Sequence, residues 1–376
     1  MSVFARMRQP VTLVGLFCVL GLCGIAIENL HFADSMLGTT YNRSQTIWIA
    51  IGLIGAGVIA GLDVQFVRRI SPFFYQILVG LLVAVLFFGR DINYSKRWLE
   101  LGPANVQPSE FMKLSIAIVL ADWFDKKRRQ TPWRLIDLWM PLVLMAVPVA
   151  LINREPDLGT SVCVALIALG QILYDGVHRR ALLLALCVGL VAVSLAWKFD
   201  VIRDYQKGRA ETWWHALQDD GQIPDAGQGG ANRDNWQAEK ALWAVGSGRV
   251  FGRSDDEARV SVLRHVPFVH TDFALACFAE RWGLVGCTLL FGLYLGVVWW
   301  ALTIADRAQE RFDALLAVGV ACLLFWQFFI NAGMVIGLLP VVGVTLPLLS
   351  YGGSSALTVL LGCGFLLNIA TRRKTR

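Results

Sequence analysis

The sequence predicts an all-α integral membrane protein, and three observations carry that prediction. Its 376 residues are 56% hydrophobic and only 16% charged. Its mean hydropathy is +0.56. The apolar residues gather into runs of about 20, the length an α-helix needs to cross the hydrocarbon core of a bilayer. A soluble fold could not hide so much apolar surface. The runs follow one another without a linker or an internal repeat, so one polytopic domain over 1–376 is expected.

Ten spans are expected, at roughly 11–32, 46–62, 71–89, 108–124, 138–152, 158–174, 180–197, 273–303, 313–338 and 353–371. The first is of spanning length and reads as a membrane segment, not a cleaved leader. The eighth is long enough to begin as a non-spanning or tilted piece. Lys and Arg placement sets the orientation. Arg6 and Arg8, Arg68 and Arg69, Lys126 to Arg129, Arg179 and Arg180, Arg307 and Arg311, and Arg372 to Arg376 all fall on one side if the segments alternate. That side is expected to be cytoplasmic, with both termini inside. The net charge of +6 is then a topology signal in a chain surrounded by membrane lipids, and no nucleic acid partner is implied. The eight cysteines lie in apolar runs and read as small hydrophobes; no pair has ligand spacing. Neither a disulfide framework nor a structural metal site is expected.

The main polar insertion, 199–269, is the large extracytoplasmic loop between spans seven and eight. It opens with a basic, aromatic run over 200–214, suited to an interfacial helix. The stretch 219–234 is acidic and Gly-rich and reads as a loop. The end, WQAEKALWAVGSGRVFG over 236–252, reads as a helix running into a glycine turn.

The segment 331–355, NAGMVIGLLPVVGVTLPLLSYGGSS, breaks the helical pattern at Pro340, Gly343 and Pro347 between two long apolar runs. Irregular backbone at membrane depth survives only where protein or a water-filled cavity covers it. The segment is therefore expected to be a shaped, partly buried loop at a site. Ser350, Gly352 and Gly353 near its end read either as an anion cradle of backbone N–H groups or as a tight turn that packs helices.

Several ionisable residues demand an account. Asp272 stands immediately before the eighth apolar run, where Thr271 or Asp272 could cap the helix. Glu280, eight residues on, sits within roughly 80° of it on a helical wheel. A charge that deep in an apolar helix is a functional-site candidate, or half of a pair with a basic residue such as Arg281 or Lys113. Glu110 and Lys113, three apart after Gln107-Pro108, share one helical face and suit an internal salt bridge. Asp157 precedes the sixth run and suits an N-cap. Arg97, with Lys96, lies outside in this topology, against the charge rule. It is either a solvated loop charge or a fork for phosphate.

Taken together, these motifs resemble the SEDS family, the polytopic cell-wall polymerases that include RodA, FtsW and SpoVE. The resemblance spans about residue 10 to 371, and MVIGLLPVVGV over 334–344 is nearer the RodA branch. It rests also on Pro267 followed by His270-Thr271-Asp272, on Gln107-Pro108-Ser109-Glu110 with Lys113, on Arg97-Trp98, on Pro156-Asp157-Leu158-Gly159-Thr160, and on Tyr205-Gln206 with Arg209. The resemblance implies a peptidoglycan glycosyltransferase that polymerises lipid II for cell-wall elongation and cell shape. It implies Asp272 as the catalytic base, Glu110 and Lys113 lining a central cavity, and Asp157 as a cavity or structural carboxylate. Arg97 and Arg209 become contacts for the lipid diphosphate. A class B penicillin-binding protein is the implied partner, and a divalent cation, Mg2+ or Mn2+, would assist the diphosphate. The chain departs from the family pattern at Glu155, where Gln is usual, at Arg249, where a glycine is usual, and at Arg281, where a second acid is usual. One carboxylate suits the chemistry. The attacking hydroxyl must lose a proton, while the leaving diphosphate needs charge stabilisation more than an acid. Two other readings stay open: a lipid II flippase, and a non-catalytic scaffold for the transpeptidase.

Overall fold

The computed structural model describes residues 10–92, 95–101, 104–129, 131–198, 207–208, 211, 213–214, 230–254 and 270–372. Arg209, most of the 199–269 insertion and the motif residues 266–269 lie outside the described residues. Among those described, α1 is Pro10–Leu37, α2 Tyr41–Gly61, α3 Val64–Phe88, α4 Pro108–Lys126, α5 Trp139–Arg154, α6 Leu158–Asp175, α7 Arg179–Lys198, α8 Gly230–Ser247, α9 Ala274–Arg307, α10 Arg311–Val335 and α11 Gly353–Thr371. Each expected span coincides with a helix, and α8 is the helix expected before the glycine turn. Eight of the helical segments are long and apolar enough to cross a membrane. The exceptions among the ten are α4 and α7. Helix α4 carries Glu110, Lys113, Asp122 and Asp125, yet Glu110, Lys113 and Asp122 are buried within the bundle. It therefore crosses inside protein, not against lipid.

The helix ends follow local chemistry. Asp63 caps α3 by accepting from the Gln65 N–H at 3.1 Å, so α3 starts seven residues before the expected span. Pro72 lies inside α3 and lacks the N–H that would reach the Arg68 carbonyl. The Ser71 hydroxyl donates to that carbonyl instead, at 3.0 Å. Asp34 organises the turn from α1 to α2: its carboxylate accepts from the Thr39 hydroxyl and the Tyr41 and Asn42 N–H groups at 2.6, 3.0 and 2.7 Å.

One connection departs from the all-helical expectation. Between α3 and α4, the chain forms a small antiparallel sheet of β1 Arg90–Ile92, β2 Ser95–Leu101 and β3 Ala104–Val106, in that order. Arg90 pairs with Trp98, and Leu99 with Val106. The sequence marked this stretch only as a charged loop, because three-residue strands are too short to show a period.

Helix α10 is the hub. It packs against α4, α6, α9 and α11, while α11 packs along α2. Lys113, Gln171, Gln327, Asn331 and Thr358 are buried in this layer. At one end of the bundle, ion pairs tie the helices together: Arg68 with Asp122 and Asp125, Arg311 with Asp175, and Arg372 with Asp313.

The expected tilt at the start of the eighth span is a break. Gly283, at φ 61, ψ −163, divides α9 into a short piece and a long one. The N–H groups freed by the break are satisfied by the turn after α8: Leu284 donates to the Arg249 carbonyl at 3.0 Å and Val285 to that of Val250 at 3.1 Å. A side chain on Gly283 would collide with the Gly252 nitrogen and the Val250 carbonyl.

Candidate functional site

Asp272 closes the turn that leads into α9, and its surroundings fix it on several sides. Asn331 on α10 donates its side-chain N–H to the Asp272 carbonyl at 2.9 Å and to the Val344 carbonyl at 2.6 Å. One amide thus joins the turn to the 336–352 loop. Two residues upstream, the His270 carbonyl accepts the Tyr351 N–H at 2.8 Å. The His270 ring stacks on Tyr41, with centroids 4.3 Å apart and planes 10° from parallel, and Tyr351 closes on Tyr41 at 4.7 Å. Burial holds the His270 imidazole below its usual pKa, so it sits neutral among these rings. The Asp272 carboxylate lies beside Gly343, where an added Cβ would stand 3.6 Å from its Oδ2. Gly343, at φ 74, occupies the left-handed region that favours glycine.

The loop itself is folded into the bundle, as its broken helical pattern anticipated. Its carbonyls are satisfied by side chains from the spans. Gln45 of α2 donates to the Leu348 and Ser350 carbonyls, each at 3.2 Å. Tyr294 of α9 donates to that of Pro347, and Gln327 of α10 to that of Thr345 at 3.1 Å. Backbone donors near its end are engaged as well. The Ser350 N–H reaches the Leu346 carbonyl and the Gly352 N–H reaches Gln45 Oε1, both at 3.1 Å. Gly353 lets α11 start against the Trp48 indole. The segment Ser350 to Gly353 is therefore a packed turn, with the donors of Ser350, Tyr351 and Gly352 held by the protein.

Behind the loop lies a buried polar chain. Glu110 and Lys113 pair at 2.8 Å, and both are almost fully buried. Lys113 Nζ also donates to Gln327 Oε1 at 3.1 Å. Gln327 Nε2 reaches the Ser355 hydroxyl at 2.9 Å, which lies 3.2 Å from that of Thr345. Gln327 and Asn331 stand one turn apart on α10, so the Glu110–Lys113 pair and the Asp272 turn are braced by one helix face.

A second group of charges borders this chain. Asp157 caps α6, accepting the Thr160 N–H at 3.1 Å. It also accepts from Gln107 Nε2 at 2.9 Å, while the Gln107 N–H donates to the Ser354 hydroxyl at 3.1 Å. Asp157 is thus both a cap and a tie between α4, α6 and α11. Arg97 of β2 donates to the Pro156 carbonyl at 2.7 Å and lies 3.7 Å from Asp157. Its side chain stays 24% exposed, and its Nε has no hydrogen-bond partner. Glu155, between the two helices, is fully buried. Burial and then the neighbouring Asp157 push its carboxyl up to about 9, against the opposing pull of Arg97.

Glu280 is placed differently from the paired arrangements expected for it. Ser247 Oγ donates to it at 3.3 Å and Arg253 Nη1 stands 3.5 Å away, so it faces the turn after α8. Lys113 belongs to Glu110, and Arg281 pairs with Glu28 on α1 while stacking over Phe32. The sequence reading gave no role to Gln45, Gln327 or Thr345, nor to Tyr41. A signal was present: Gln45 and Gln327 are polar side chains inside apolar runs, and such groups face the protein interior.

A multi-pass helical bundle with buried ionisable residues gathered toward one end, beneath a folded-in loop, defines a membrane protein with an interfacial site. The chain belongs to the FtsW/RodA/SpoVE family, described as cell cycle proteins, whose model matches residues 7–375. It is 36% identical over 326 residues to the peptidoglycan glycosyltransferase MrdB of Escherichia coli K12, covering 87% of this chain and 84% of that one. It is 32% identical over 375 residues to the probable peptidoglycan glycosyltransferase FtsW of Hydrogenovibrio crunogenus, covering 96% and 92%. Among solved structures it resembles a chain from a peptidoglycan synthase complex that coordinates polymerization and crosslinking, with a TM-score of 0.79 and 27% identity over 96% of this chain and 98% of that one. It also resembles the rod shape determining protein RodA of Thermus thermophilus, with a TM-score of 0.69 and 26% identity over 96% and 97%.

Proposed function

We propose that this protein polymerises lipid II into glycan strands at the outer face of the bacterial cytoplasmic membrane, with Asp272 as general base. The activity is that of a peptidoglycan glycosyltransferase, the name its relatives carry. The observation that carries the assignment of the base is the anchoring of Asp272. Its turn is held by Asn331, by Tyr351 and by the Tyr41–His270 stack, and its carboxylate lies beside Gly343.

In the reaction, one lipid-linked disaccharide presents a sugar hydroxyl and a second presents the carbon bonded to its diphosphate. Asp272 takes the hydroxyl proton as the new glycosidic oxygen–carbon bond forms. The carbon–oxygen bond to the diphosphate breaks, and inversion follows from direct displacement. Arg97 is suited to the departing charge: its side chain is partly exposed and its guanidinium fork matches phosphate oxygens. Arg209 is proposed as a second contact. Among the described residues no group of three or more His, Cys, Asp or Glu is placed to hold a metal ion. A Mg2+ or Mn2+ ion would neutralise charge on the departing diphosphate.

A class B penicillin-binding protein is the proposed partner, in line with the complex that this fold resembles. A flippase would need a polar route through the bundle. The ion pairs of Arg68, Arg311 and Arg372 that tie the opposite end together favour a one-sided enzyme. The test is direct: purified protein, with and without a class B partner, is given lipid II and the products are separated by chain length. Glycan polymer is expected. Lipid movement between leaflets without polymer would favour the flippase, and neither would favour the scaffold.

A further inference from the structure

At the end of the bundle opposite Asp272, two connections distant in sequence are stapled into one surface. Residues 127–138 link α4 to α5, and 176–178 link α6 to α7. The Trp133 N–H donates to the Gly176 carbonyl at 3.1 Å, and the His178 N–H to the Trp133 carbonyl at 3.0 Å. Trp133 is 2% exposed. Its indole N–H donates to Asp175 Oδ2 at 2.6 Å, and the Arg129 guanidinium lies 4.8 Å from its ring centre. The strap is therefore an ordered, braced element.

Its charge is unbalanced. Lys127, Arg128, Arg134, Arg179 and Arg180 are exposed. The nearby acids are already paired: Asp122 with Arg68 and Lys126, Asp125 with Arg68, and Asp175 with Arg311, while Asp137 lies within the strap, paired with Arg129 and accepting the Arg134 N–H. Beside these cations, Ile136 and Trp139 are 80% and 63% exposed where α5 enters the membrane. Exposed apolar side chains with an indole at a span end mark the depth of lipid headgroups. A general excess of Lys and Arg on one side explains which leaflet this end faces. It does not explain why two connections are tied together into a single cationic surface rimmed by apolar groups at headgroup depth.

We infer that this strap is a binding surface for anionic phospholipid headgroups in the leaflet it faces. Lys127, Arg128 and Arg134 meet the phosphates and Ile136 and Trp139 lie against the acyl-chain boundary. Phosphatidylglycerol and cardiolipin have this chemistry; a zwitterionic headgroup does not.

The test uses the full chain purified from mixed vesicles of phosphatidylglycerol, cardiolipin and phosphatidylethanolamine, with retained lipid quantified by native mass spectrometry. Wild type is compared with a K127Q/R128Q/R134Q variant and with an R69Q/R307Q variant, which removes two exposed cations from α3 and from the end of α9. The expected result is selective retention of the anionic lipids. The strap variant should lose it by about 100-fold, reflecting an attraction of about 1 kcal/mol for each of three cations at an anionic surface. The R69Q/R307Q variant should keep it, and melting in phosphatidylethanolamine alone should be unchanged for both. Equal loss in both variants, or no preference for anionic lipid in wild type, overturns the inference. Displacement of the lipid by millimolar inorganic phosphate would also overturn it, since the surface would then be a general anion site.

Discussion

Lys113 is 1% exposed at the heart of the bundle, and Glu110, 2.8 Å away, is what makes its charge tolerable. Removing one member of a buried pair leaves the other charge stranded, at a cost of about 3–5 kcal/mol. Lys113→Met should therefore sharply lower the unfolding temperature in detergent, and adding Glu110→Gln should recover most of the loss. Equal destabilisation by the single and double variants would mean that the pair does not act as a unit. Glu155 gives a pH signature. Its carboxyl ionises near 4.5 when unfolded but is pushed up to about 9 by burial and Asp157 in the fold. Between those values the folded state holds a proton that the unfolded state has lost, so stability falls as pH rises through that window. Glu155→Gln should flatten this slope across pH 5–9 and raise the melting temperature at neutral pH. A slope that persists in the Gln variant would assign it to other groups. At this scale the sequence was legible where a charge stood out against apolar neighbours, as at Glu110, Lys113 and Asp272. It was silent on Tyr41, whose role depends on a stack with His270, a residue distant in the chain.

The break in α9 ends the short helical piece that follows Asp272. Gly283, at φ 61, meets the 249–253 turn too closely for any side chain. Gly283→Ala should cost on the order of 1–3 kcal/mol, read as a lower melting temperature, since the new Cβ would meet the Gly252 nitrogen and the Val250 carbonyl. Arg249 shows the converse. It stands at φ 48, where the chain departs from the glycine its resemblance implied. Arg249→Gly should raise stability by roughly 1 kcal/mol, read as a higher melting temperature. The spans were legible because twenty apolar residues have few alternatives in a membrane chain. The break was legible only as excess length in the eighth run. The small sheet was not legible, since two of its strands are only three residues long and leave no periodic signal. The irregular course of 336–352 was readable from its prolines and glycines. Its hydrogen-bonding was not, because the donors come from α2, α9 and α10.

The whole molecule is polarised. Asp272, Arg97 and the Glu110–Lys113 pair lie toward one end, and the ion pairs of Arg68, Arg311 and Arg372 lie at the other. The orientation drawn from Lys and Arg placement puts the first end outside. In a background with the eight native cysteines replaced, a thiol at Gly229 should react with a membrane-impermeant reagent in intact spheroplasts, and one at Gln130 should not. The reverse labelling would put Asp272 on the cytoplasmic face, away from the glycan it is proposed to extend. Asp272 is proposed as a base; the cap expected of Thr271 or Asp272 is not formed, because Phe273 takes the N-cap position of α9 with no side-chain cap. Asn caps a helix about as well as Asp but cannot take a proton. The decisive measurement is glycan synthesis from lipid II by purified Asp272→Asn protein, folded and bound to its class B partner. The account predicts a loss of about 100-fold or more, with lipid II binding retained; near-normal glycan synthesis would contradict it.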